Sequence, residues 1–153
     1  MIKSSKYILD EILIRFLHFA GIIFLSSTLV FEHILLKDKI TNDNFKTVLR
    51  IDLYYLISAL VTLIAGLLLW FVVGKDSGFY TQNPFFHIKV TLFFVMVFLA
   101  IYNTLFLRKY KNITDDYILL PKKVIMIIRL ETLLLLVIPL LGSFVAAGYG
   151  YKG

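Results

Sequence analysis

Residues 12–36 read ILIRFLHFAGIIFLSSTLVFEHILL. A bilayer is crossed by ~20 apolar residues in a helix, and this stretch is long enough. Yet it carries Arg15, His18, Glu32 and His33. At helical spacing His18, Gly21, Leu25, Thr28 and Glu32 share one face, and Glu11 and Arg15 extend it towards the amino end. Ionisable groups are costly in hydrocarbon and normally face a bundle interior or a watery cavity. This helix is therefore predicted to form one wall of a polar interior.

The composition of the whole chain points the same way. Of its 153 residues 59% are hydrophobic and 17% charged, with a mean hydropathy of +0.86. A soluble domain carries more charge than this, so the membrane class is favoured. The net charge of +6 does not indicate nucleic acid. The basic residues stand at the ends of apolar runs, where a membrane protein needs them. The absence of cysteine removes disulfides, iron–sulfur clusters and thiolate metal sites. The opening MIKSSKYILDEILIRF has two acidic residues and no short apolar run before a small-residue cleavage site. No cleavable signal peptide is expected, and the first helix should stay in the mature protein.

Three further stretches can span: 51–73 (IDLYYLISALVTLIAGLLLWFVV), 85–107 (FFHIKVTLFFVMVFLAIYNTLFL) and 124–147 (VIMIIRLETLLLLVIPLLGSFVAA). None shows the alternation of a membrane β-strand. The connections are short and leave no room for a second domain. An all-α, integral membrane four-helix bundle of up-down-up-down order is predicted, as a single transmembrane domain over 1–153. Nine basic residues (Lys37, Lys39, Lys46, Arg50, Arg108, Lys109, Lys111, Lys122, Lys123) flank the first and third connections. Lys3, Lys6, Lys75 and Lys152 fall on the other side. The positive-inside rule then places both termini outward from a bacterial inner membrane. In the second connection, Asn83 and Pro84 are predicted to start a helix as cap and first residue.

Polar groups inside the spans form the candidate sites. The second span carries Asp52, Tyr55, Ala59, Thr62 and Gly66 on one stripe, suited to close helix packing. The third carries His87 and Lys89 in its first turn, then Thr91, Tyr102 and Asn103. The fourth carries Arg129, Glu131 and Pro139. Sorted by depth, Glu11, Arg15, His18, His87 and Lys89 form an outer layer. Glu32, His33, Asp52, Arg129 and Glu131 form an inner one. Each layer is expected to hold both signs of charge. Glu131, roughly 10 Å deep at 1.5 Å per residue, is expected to pair with Arg129, Arg50 or His33.

Three chemistries compete for these residues, and binding of a b-type haem or a porphyrin, with a redox role, is the leading expectation. A b-type haem needs histidines at similar depth on two helices, which His18 and His87 offer, with Arg15 and Lys89 placed for the propionates. A small-solute or proton carrier would use Arg15, His18, Glu32, Tyr55 and Glu131. Four helices are few for a transporter, and self-association into a homo-oligomer would relieve that. The third is a structural or assembly role, with the charges fixing helix register. Metal chelation by Glu32 and His33 is disfavoured because neighbours on a helix point apart. Ser26 and Ser27 lie mid-helix without the surroundings of a nucleophile and read as packing residues.

RFLHFAGI at 15–22, GKDSGFYTQNPFFHIKV at 74–90 and RLETLLLLVIPLLGSFVAAGYG at 129–150 resemble a family of small bacterial inner-membrane proteins. That family is described only as predicted membrane proteins of unknown function. More distantly, His18 in the first span and His87-x-Lys89 opening a later one resemble the HemJ-type membrane protoporphyrinogen oxidases. That likeness implies haem b held by His18, a Lys89 important for activity, and a porphyrin or redox partner. The chain has FLSSTLVFEH at 24–33 where those oxidases carry a Trp and a Leu-Pro-Arg run.

Overall fold

A computed structural model describes residues 5–151 of the chain. Lys3, Lys152 and the Lys6 side chain, which entered the charge count above, lie outside the described residues. Four long helices dominate: α1 (Ser5–Leu35), α2 (Asn42–Leu68), α4 (Pro84–Arg108) and α5 (Lys122–Ala146). Each is long and apolar enough to cross a membrane. The short helix α3 (Ser77–Thr81) lies in the second connection. The helices pack as a ring in the order α1, α2, α4, α5, with the α1–α2 and α4–α5 pairs most closely joined. This is the all-α bundle the four apolar stretches predict.

The helix ends follow from local chemistry. Thr41 caps α2 by accepting from the Asn44 amide, and Asp43 lies in the first turn, where a negative charge suits the helix dipole. Asn83 caps α4: its Oδ1 accepts from the amides of Phe85 at 3.0 Å and Phe86 at 3.4 Å. Pro84 fills the first position, where a missing N–H costs nothing. The Asn83 amide nitrogen also donates to the Tyr149 carbonyl at 3.1 Å, tying the chain beyond α5 to the start of α4. At the same end, the Tyr7 hydroxyl donates to the Val72 carbonyl, tying α1 to α2. The last turn of α2 widens into a π-helix over Leu69–Val73.

One element has no counterpart in the sequence reading. Strands β1 (Lys39–Thr41) and β2 (Tyr117–Leu119) pair antiparallel, with Ile40 opposite Ile118. Both isoleucines are buried. Asn42 adds side-chain bonds to the carbonyls of Ile113 and Asp115. This ribbon joins the α1–α2 connection to the α4–α5 connection. It marks one end of the bundle, here the ribbon end; the opposite end is the termini end.

The outside of the bundle is apolar. Phe16, Phe98 and Leu136 are each about 70% exposed, far more than a soluble domain tolerates in so many large side chains. Lipid is the solvent that suits such a surface. Inside, the middle of the bundle is filled by Leu25, Leu29, Ala59, Met96, Ala100 and Ile138. α1 and α2 come close enough at Gly21 that a Cβ there would lie 2.5 Å from Thr62 Oγ1 and 3.2 Å from its backbone nitrogen. Glycine is what permits that approach.

Candidate functional site

The polar stripe of α2 points inward along its length. Asp52, Tyr55, Ala59 and Thr62 are all buried. At the ribbon end it meets polar groups from the other three helices. Glu32 of α1 and Glu131 of α5 are each 1% exposed, and Asp52 is 3% exposed. Tyr55 donates its hydroxyl to Glu131 Oε1 at 3.4 Å. Thr104 of α4 donates to Asp52 Oδ1 at 2.7 Å. Glu32 lies within electrostatic reach of both Asp52 and Glu131. Among the described residues its buried Oε1 has no hydrogen-bond partner, nor has Oδ1 of Asn103, the neighbour of Thr104 on α4.

The expected mixture of charges in this layer is corrected by the structure. No basic side chain bonds Glu32, Asp52 or Glu131 among the described residues. Arg108, exposed in the last turn of α4, acts on Asp52 through space alone. Arg129 is exposed and lines a surface cleft with Asp38, Lys122, Ile125 and Met126. His33 lies on the outside and bonds the Thr132 hydroxyl at 3.1 Å, and Arg50 is also exposed. Helical geometry explains the sorting. Residues two apart point to nearly opposite faces, so Arg129 turns out when Glu131 turns in. The same rule, one residue apart, separates His33 from Glu32.

At the termini end the buried chemistry is different. His18 Nδ1 lies 3.0 Å from the Thr62 carbonyl and therefore donates to it, which leaves Nε2 as the free ring nitrogen. Its Cε1 sits 3.2 Å from where a Cβ on Gly66 would be. Lys89 is half-buried, and its charge reaches the His18 imidazole. Its Nζ lies 3.6 Å from where a Cβ on Gly142 would be. So all four helices contribute here too: His18, Thr62 with Gly66, Lys89 and Gly142.

The other three residues expected in this layer, Glu11, Arg15 and His87, lie apart from it. Arg15 bonds Glu11 at 2.6 Å on an exposed face. His87 is exposed, and its Nε2 donates to the Thr81 carbonyl at 2.7 Å. His87 and Lys89 are again two apart on one helix, so only one of them can turn to the interior. Of the two histidines expected to act as a pair, only His18 turns to the interior at this end. Among the described residues no three His, Asp or Glu side chains converge as metal ligands.

The two layers are separated. Fourteen positions on α1 divide His18 from Glu32, roughly 21 Å at 1.5 Å per residue. The apolar fill around Leu25, Leu29, Met96 and Ala100 lies between. Two contributors went unread in the sequence. Thr104 continues the buried line Met96–Ala100–Thr104 at four-residue spacing, a signal that would have found it. Trp70 sits in the π-helical turn, where no sequence rule pointed.

Over residues 10–150 the chain matches the family described as predicted membrane protein, DUF2214. The chain belongs to that family. No curated protein and no solved structure matches it. The match extends over all four spans and both polar layers. The likeness to HemJ-type oxidases expected around His18 and Lys89 finds no support in these matches.

Proposed function

We propose that the chain binds and moves protons, or a small cationic solute, through the carboxyl layer of Glu32, Asp52, Tyr55 and Glu131. The observation that carries this reading is the buried Glu32 Oε1, which has no partner although it faces two further carboxyl groups. Buried polar atoms in folded proteins are almost always satisfied, and an exception calls for an explanation such as a catalytic role or a bound water or ion. Charges that served only to fix helix register would be matched as ion pairs, and these are not. Three carboxyl groups in reach of one another in a low-dielectric interior need protons or a bound cation to be stable. Tyr55 and Thr104 supply hydroxyls that can pass or coordinate what is bound.

The test is proton flux in proteoliposomes carrying a pH-sensitive dye under an imposed potential. Wild type should exceed protein-free vesicles, and Glu131→Gln should lose the excess while melting like wild type. Wild-type flux equal to that of empty vesicles, for protons and for small amines, would sink the reading and leave a structural or assembly role. We place the protein in a bacterial inner membrane with the ribbon end cytoplasmic and both termini outward, on the distribution of lysine and arginine. The cysteine-free chain makes this easy to check. Ser77→Cys should react with an impermeant maleimide from outside intact cells, and Thr114→Cys should not.

A second reading, binding of haem b or a related porphyrin at His18, is favoured by one observation. Nδ1–H held on a backbone carbonyl is the orientation metal-bound histidines commonly show. His18 Nε2 would meet the iron, and Lys89 would hold a carboxylate. Bound there, haem would supply one-electron redox chemistry, with an oxidase-like reaction as its furthest extension. Purified protein should then show a Soret band that His18→Ala removes. A colourless preparation from haem-sufficient cells refutes it.

A further inference from the structure

Two hydrogen-bond donors at the termini end, Lys89 Nζ and Trp70 Nε1, have no bond among the described residues. Lys89 lies in the second turn of α4, inside the span, and has no hydrogen bond and no carboxylate partner among the described residues. An ammonium there is costly unless something pairs with it. Glu11 of α1 is paired with Arg15 at the surface. The Lys89 side chain lies along Gly142 of α5, where a Cβ would stand 3.6 Å from Nζ.

Trp70 gives a second, independent observation. Its indole Nε1 is buried and has no acceptor. Indole N–H and ammonium are donors only, so nothing but an acceptor can satisfy them. Trp70 lies in the π-helical turn Leu69–Val73, one turn beyond Gly66, which packs on His18. π turns recur at functional sites. Its ring packs edge-on against Phe86 at 4.7 Å, and Phe86 precedes Lys89 by one turn of α4. Trp70 therefore forms part of the wall at the same end.

We infer that the termini end of the bundle binds an anionic, oxygen-rich group, a carboxylate or a phosphate, on Lys89. The group comes either from a soluble anion or from a lipid headgroup. Both present the acceptor oxygens that an unpaired ammonium in a nonpolar wall requires. The inference is independent of the carboxyl layer, which is built from other residues at the other end.

Trp70 is the chain's single tryptophan and reports directly on this end. Purified protein in nanodiscs of zwitterionic lipid is titrated with inorganic phosphate and with acetate, and its emission followed. A second set of discs contains phosphatidylglycerol and no added anion. A saturable emission change in the first set identifies a soluble anion; a change with phosphatidylglycerol fraction identifies a headgroup. Lys89→Met should weaken the response at least about tenfold in apparent affinity, equivalent to about 1.4 kcal/mol. Lys89→Arg should retain it, which separates loss of charge from loss of fold. Arg129→Met and Glu131→Gln, at the ribbon end, should leave it unchanged. A flat signal in every arm, or an equal response in Lys89→Met and wild type, overturns the inference.

Discussion

The ribbon end and the termini end bury polar groups on the same four helices, yet they bury opposite kinds. At the ribbon end the interior holds three carboxyl groups with the hydroxyls of Tyr55 and Thr104. At the termini end it holds an ammonium, an imidazole donating to backbone and an indole N–H. Neither layer neutralises itself, and the apolar middle keeps them from neutralising each other. In a soluble protein an uncompensated interior group is mostly a defect that water can repair. In a membrane protein water reaches such a group only through an internal cavity, so a layer left with one sign of charge points to what must arrive there. The difference between the ends is thus the chief functional information in the molecule.

That separation can be attacked directly. The largest effect is expected from Leu29, which is fully buried between the layers. Leu29→Ala should cost about 2–5 kcal/mol, as core truncations do, and chemical denaturation in detergent micelles measures it. The same variant in vesicles should raise unstimulated proton leak, since the barrier between the layers is thinned. An intermediate effect is expected at Thr104. Thr104→Val keeps the shape but removes the hydroxyl bonded to Asp52. Stripping a buried acceptor of its donor costs about 1–3 kcal/mol. The double variant with Asp52→Leu should recover most of that loss in the same denaturation experiment. The smallest effect is expected from Arg15→Gln. Its pair with Glu11 is exposed, and such pairs contribute about 0–1 kcal/mol. A melting shift as large as that of Thr104→Val would show that Arg15 belongs to the termini-end layer after all.

Much of this architecture is legible in the residues. Apolar length defines the four spans, and the Asp52–Tyr55–Ala59–Thr62–Gly66 spacing defines the inward stripe of α2 without further help. The Asn83–Pro84 pair gives the start of α4 because capping is local chemistry. The ribbon is not legible, since KIT and YIL are too short for any periodicity and gain their structure from each other across the length of two helices. The partner of Glu131 is missed for a different reason. Proximity in sequence suggests Arg129, but two residues along a helix is the spacing that parts side chains. The partner is Tyr55, from a helix whose depth and rotation only packing fixes. Depth alone likewise groups His87 with Lys89, while helix rotation divides them.

The ribbon has a mechanical consequence. The Tyr7–Val72 bond lies within the α1–α2 pair and the Asn83–Tyr149 bond within the α4–α5 pair. The backbone-paired strands, by contrast, fasten one pair to the other, and they do so at one end of the molecule. At the termini end the same two pairs meet through side chains, Trp70 on Phe86 and Lys75 on the Ala146 carbonyl. A single substitution can therefore loosen the pairs where His18 and Lys89 lie, whereas it cannot remove the backbone bonds beside Glu32, Asp52 and Glu131.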